Sequence, residues 1–115
     1  MSASGFRSGA GMDGRSVISR RIKEAREKAG ISQKALGIRA GIDEFSASPR
    51  INQYERGKHL PNPSVLERLA AVLKVPVGYF YTRDDALAEI LVAVERMPTS
   101  AKRQLLARLR RQPKV

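Results

Sequence analysis

The chain has 115 residues, 42% of them apolar, and its 22 Lys and Arg against 11 Asp and Glu give a formal charge of +11. That length supports one modest core with appendages, not two independent cores. The charge favours a polyanionic partner through steering and counterion release, nucleic acid first and an acidic membrane surface second, while zero cysteines exclude disulfides and thiolate metal sites and one histidine argues against a His-built zinc or catalytic cluster.

Residues 1–15 are rich in Gly and Ser, with Phe6 and Met12 as the sizeable apolar groups. Such a segment buries too little surface to offset its ordering entropy, so a disordered arm is expected. Arg7 and Arg15 could let it follow a DNA groove, although a plain tail is the simpler reading, and Met12 offers an alternative start. A first helix is predicted from Ser16 to Ala29, with Ile18, Ile22, Ala25 and Ala29 on its inner face and Arg20, Arg21, Lys23, Glu24, Glu27 and Lys28 outside. Gly30 ends it, and Ser32 then caps a second helix, Gln33 to Ala40, whose inward residues are Ala35, Leu36 and Ile38 or Ala40. Gly37 inside this helix costs about 1 kcal/mol relative to alanine, which implies close backbone approach by a neighbour.

Ile42 to Ser48 reads as a loop or distorted first turn, after which Pro49 lies in the opening turn of a third helix stopped by Gly57. Ile51 and Tyr54 share one face of that helix, leaving Arg50, Asn52, Gln53 and Lys58 for an outer face rich in hydrogen-bonding groups. Arg matches guanine, and Gln or Asn matches adenine, in the major groove. Lys58 to Pro63 forms a proline-bounded loop, Ser64 caps a fourth helix to Leu73, and a short fifth helix or turn ends in Tyr79, Phe80 and Tyr81. Asp84 or Asp85 caps a sixth helix to Met97 whose Leu87, Ile90, Leu91 and Val94 form a wide apolar stripe. Past the break at Pro98 a seventh helix, Ala101 to Gln112, carries Leu105, Leu106 and Leu109 among Lys102, Arg103, Arg108, Arg110 and Arg111. The cover for this hairpin is either the preceding body or the same hairpin from a second chain. No alternating pattern is long enough for a sheet, and the chain reads as all-α.

The pieces Ile22-x-x-Ala25-Arg26, Ile31-Ser32-Gln33-x-x-Leu36, Ile51-Asn52-Gln53-Tyr54-Glu55-Arg56-Gly57, Pro61 or Pro63, and Leu69-Ala70-x-x-Leu73-x-Val75 occur in one order and spacing. Together they resemble the lambda-repressor/Cro-like helix-turn-helix family of regulators over Ser16 to Tyr81. The resemblance implies a five-helix DNA-binding domain over 16–82; outside it, the apolar stripe is read as part of a C-terminal helical hairpin over 83–115, for dimerisation through Leu87, Ile90, Leu91 and Val94 or for binding a partner protein. Carried over by position, Gln33 contacts a phosphate, Ser48, Pro49 and Arg50 meet base edges with Gln53 a turn further on, Asn52 and Lys58 serve the flanking backbone, and Arg26 with Glu55 forms a structural ion pair. The usual alanine after Leu36 is here Gly37, and the span from Ile42 to Ile51 is longer than in the common pattern, making Asp43 to Ser46 an insertion ahead of the recognition helix. Such an insertion can lengthen the helix with Ser46 as N-cap, bring Ser46 or Ser48 to the DNA and make Pro49 the N3 residue.

The expected activity is sequence-specific binding of double-stranded DNA by a homodimeric transcriptional repressor, with a DNA-binding antitoxin whose hairpin grips another protein as the alternative. No catalytic constellation can be assembled, so neither an enzyme nor a cofactor nor a metal is expected. No run of about 18 apolar residues is present to span a bilayer and no signal-peptide core precedes the first helix, which points to the cytoplasm, with nucleoid association when bound to DNA.

Overall fold

The computed structural model describes residues 14–113, so the arm expected over 1–15 lies outside the described residues up to residue 13. The architecture is all-helical: α1 (Gly14–Ala29), α2 (Gln33–Arg39), α3 (Glu44–Glu55), α4 (Pro63–Leu73), a 3-10 turn (Val77–Tyr81), α5 (Asp85–Glu95) and α6 (Thr99–Arg110). Ser32 caps α2 by accepting from the Ala35 N–H at 3.0 Å, and Asp84 does the same for α5 through the Leu87 N–H at 2.8 Å. The fourth helix starts earlier than expected, because Asn62 rather than Ser64 is its cap, accepting from the Val65 N–H at 2.9 Å, with Pro63 in the first turn where a missing N–H is harmless.

The core gathers Ile18 and Ile22 of α1, Leu36 of α2, Ile51 and Tyr54 of α3, Leu66, Leu69 and Leu73 of α4, and Tyr79 and Phe80 of the 3-10 turn. Each large aliphatic or aromatic side chain so buried stabilises the fold by about 1.5–3 kcal/mol. Two residues expected to face inward do not: Ala29 is exposed, and Ile38 sits on the outer side of α2.

Arg21 reverses its expected position. Read as an outer charge on α1, it is 1% exposed, because the segment after the 3-10 turn, together with Glu24 of α1, supplies its acceptors. Its Nε donates to the Thr82 carbonyl at 2.9 Å, its Nη2 to the Arg83 carbonyl at 3.0 Å and to Asp85 at 2.9 Å, and its Nη1 to Glu24 at 3.0 Å. The guanidinium also lies 5.6 Å from the centroid of the Tyr79 ring, a favourable cation–π distance. A buried cation is tolerated only when paired and hydrogen-bonded in this way. Burial first, then the hydrogen bond its hydroxyl donates to Glu24 at 2.9 Å, push the Tyr79 phenol well above its ordinary value.

Arg21 thereby ties α1 to the start of α5, with Arg20 adding a 3.0 Å contact to the same Asp85 carboxylate. At its other end α5 is fastened by Arg96, which donates to the carbonyls of Lys74 at 3.2 Å and Leu73 at 3.4 Å at the end of α4. Ala88 is the buried residue of α5, and Val92, one turn on, packs against the core. Helical periodicity then turns Ile90, Val94 and Leu87 away from the core, with Leu91 at the border of the buried face; Leu87 and Ile90 are about half exposed, and Leu91 and Val94 are half-buried. Helix α6 buries none of its residues and leaves Leu106 and Leu109 open to solvent.

Candidate nucleic-acid interface

Helices α2 and α3 meet at the closest backbone approach of the pair. A Cβ placed on Gly37 would lie 2.7 Å from the Cβ of Ala47 and 2.9 Å from its Cα, so only glycine lets the two axes come this near. The connecting turn passes through Gly41 at φ +92°, in the left-handed region that side chains disfavour. Asp43, not Ser46, is the N-cap of α3: its carboxylate accepts from the N–H groups of Phe45 at 2.8 Å and Ser46 at 3.0 Å. Asp43 to Ser46 is therefore no loop ahead of the recognition helix but its first turn and cap, and Pro49 falls sixth in the helix, inside it, rather than at N3. Its ring has no N–H to donate to the Phe45 carbonyl. Packing of Ala47 against Gly37 and the Asp43 cap carry the helix through that defect.

Ala47, Ile51 and Tyr54 form the buried stripe of α3. With about 100° between successive residues, the outward ridge is Phe45, Pro49 and Gln53, flanked by Ser46 and Arg50 on one side and by Ser48 and Asn52 on the other. Phe45, Pro49 and Arg50 are exposed, Ser46, Ser48, Asn52 and Gln53 half-buried, and Lys58 stands exposed beyond the end of the helix. The fold thus brings Arg50 and Gln53 together, in a shallow concavity of about 430 Å³ shared with Tyr54, His59 and Leu60, and separates Ser48 from Arg50 by the width of the ridge.

The rear of the helix is held by charge. Arg26 of α1 donates to Glu55 from Nε at 2.6 Å and Nη2 at 3.1 Å, and from Nη1 to the Ile31 carbonyl at 3.0 Å. The hydrogen bond to Glu55 raises the Arg26 pKa further above the neutral range, and the Glu55 side chain is 3% exposed. Gln33 joins this network, its amide nitrogen donating to Glu55 at 3.0 Å and to Asn52 at 3.3 Å. In this geometry the Gln33 amide group binds α3, and its backbone N–H stands in the first turn of α2. At the tip of α3 the acidic groups are offset. Hydrogen bonds, the largest from the Ser46 hydroxyl, hold the Asp43 carboxyl below its usual range, while Lys34 lies 3.5 Å from Glu44. The ridge that remains is polar and basic with an apolar tip.

Two residues escaped the reading of the sequence. Phe45 lay in what looked like an inserted loop, although Asp43 three places before Ser46 is itself an N-cap signal. Arg21 carried no local signal of burial, since apart from Glu24 its acceptors lie about sixty residues away. Among the described residues no three potential metal ligands come together, and no helix is long and apolar enough to cross a membrane.

Residues 22–80, more than half of the chain, match the helix-turn-helix family model. The crystal structure of transcriptional regulator BswR resembles this fold with a TM-score of 0.76 at 46% sequence identity, over 82% of this chain and 93% of that one. A search of curated proteins finds no match.

Proposed function

The chain belongs to the lambda-repressor/Cro-like helix-turn-helix family, and from that premise we propose that it is a sequence-specific double-stranded DNA-binding transcriptional regulator, a cytoplasmic repressor that acts as a homodimer on an inverted-repeat operator. The observation that carries this reading is the attitude of α3: Ala47, Ile51 and Tyr54 anchor one side, so the opposite side, with Arg50 and Gln53 adjacent, is presented to solvent on a rigid support. In the groove Arg50 and Gln53 read base edges with Ser46, Ser48 and Pro49 close by, whereas Gln33 through its backbone N–H, Asn52 and Lys58 serve the phosphates. The first turn of α2 contributes N–H groups and the positive end of its dipole to the phosphate contact. Transcription is blocked by occupancy of the promoter.

Dimerisation is assigned to Leu87, Ile90, Leu91 and Val94 of α5, of which Leu87 and Ile90 are exposed and Leu91 and Val94 half-buried. Two-fold symmetry would place the paired α3 helices in successive major grooves about 34 Å apart. Selection of bound sequences from a random duplex library tests the whole proposal: an inverted repeat with half-sites one helical turn apart supports it, and the absence of any preferred sequence refutes it. Sedimentation of a Leu91→Asp variant tests the dimer surface, with a shift from dimer to monomer expected and an unchanged dimer removing α5 from the interface. The uncovered Leu106 and Leu109 of α6 favour, as a second reading, a partner protein gripped by the C-terminal helices, as in an antitoxin; a different small protein that co-purifies with the chain in a fixed ratio would select it.

A further inference from the structure

Phe45 is the most exposed large apolar side chain among the described residues, at 91%, against 57% for the next, Tyr81 and Leu109. Its position is nevertheless fixed. Its N–H is held by Asp43 at 2.8 Å, and the helix carrying it is locked in register against α2 by the contact of Ala47 with Gly37. The ring heads the outward ridge that continues through Pro49 to Gln53, and none of the described residues of its own chain covers it. A ring left in water forfeits the burial that drives folding, so its placement points to a surface met only in a complex.

Resting on the regulator reading above, in which this ridge enters the major groove, we infer that Phe45 is a specificity residue that packs against the C5-methyl group of a thymine. The ring carries no donor or acceptor, so it can recognise only the apolar element of a base edge. In the major groove that element is the thymine methyl. Gln53 lies eight residues further along the helix, about 12 Å at 1.5 Å per residue, so the two side chains address separate base pairs. Phe45 therefore adds a thymine requirement at the tip end of the half-site that Arg50 and Gln53 cannot supply.

The test uses the full chain and its selected duplex, with each thymine replaced in turn by deoxyuridine, which deletes the methyl group alone. For the wild type, one position per half-site should bind about fourfold more weakly on replacement, the transfer value of one buried methyl. Phe45→Ala should bind the thymine duplex less well and show no further loss at that position, while Phe45→Leu should retain part of the discrimination. Both variants should keep the wild-type melting temperature, because the ring is 91% exposed among the described residues. The inference is overturned by a wild type indifferent to uracil at every position, by a selected half-site without thymine, or by Phe45→Ala retaining the same discrimination. A DNA-free Phe45→Ala protein of lower association state would also overturn it, by assigning the ring to contact between copies. A wild type that selects no duplex sinks the regulator reading itself and the inference with it, an outcome distinct from the others.

Discussion

Gly37→Ala reverses the sign usually expected of a glycine-to-alanine change in a helix. Gly37 is buried and its φ is not positive, so on propensity alone alanine should stabilise α2 by about 1 kcal/mol. The new Cβ, however, would stand 2.7 Å from the Ala47 Cβ, 2.9 Å from its Cα and 3.0 Å from its carbonyl oxygen. Two of these three atoms belong to backbone, which can move only if α2 and α3 separate along their shared length. Overpacking of this kind costs about 1–3 kcal/mol, and contact with backbone places it in the upper part of that range. Net destabilisation of about 1–2 kcal/mol is expected, which for a domain of this size lowers Tm by about 4–16 °C. Thermal melts followed by circular dichroism measure it. Adding Ala47→Gly to the variant removes the Cβ pair but leaves Cα and oxygen in the way, so rescue should be partial, with a coupling energy within about 0.5–3 kcal/mol. A Gly37→Ala protein that melts higher than wild type would refute the close approach, and with it the claim that this contact locks α3 in register against α2.

Arg50→Ala and Gln53→Ala should each lose about 1–3 kcal/mol for the selected duplex while sparing random DNA in fluorescence-anisotropy titrations; equal losses on both duplexes would contradict base readout. Glu55→Ala leaves Arg26 unpaired against α3 and should destabilise by about 3–5 kcal/mol in urea melts, with a Glu55→Met/Arg26→Met double variant recovering much of the loss. A single-variant loss below about 1 kcal/mol would show the ion pair to be replaceable by solvent. The Arg20 and then the Arg21 guanidinium hold the Asp85 carboxyl below its ordinary 3.8, so the stability it contributes is present above the usual carboxylate range and fades as the pH falls through its lowered value. Asp85→Asn should lower Tm near neutrality and reduce the acid-induced fall; a melt-versus-pH curve parallel to wild type would detach Asp85 from the α1 latch.

Much of this protein was legible residue by residue, because the signals were local. Ser32 as a cap, Gly30, Gly41 and Gly57 at the helix ends, and the stripe of Ile51 and Tyr54 depend on neighbours within a turn or two, where sequence distance and spatial distance are nearly the same. The order of these pieces was enough for the all-helical class and for the helix that faces outward. The start of α3 was decided otherwise. Pro49 argues by itself for a helix beginning near it, and only the packing of Ala47 on Gly37, together with the Asp43 cap, extends the helix upstream and turns an apparent insertion into its first turn. Phe45 gained its place at the tip of the ridge from that same tertiary contact. Arg21 shows the limit most plainly: a cation's burial depends on acceptors, and the carbonyls of Thr82 and Arg83 reach it only after the chain has folded back on α1. Backbone propensity and periodicity act over a few residues and are written along the chain, whereas close approach and charge satisfaction are properties of segments distant in sequence, which become neighbours only in the folded molecule.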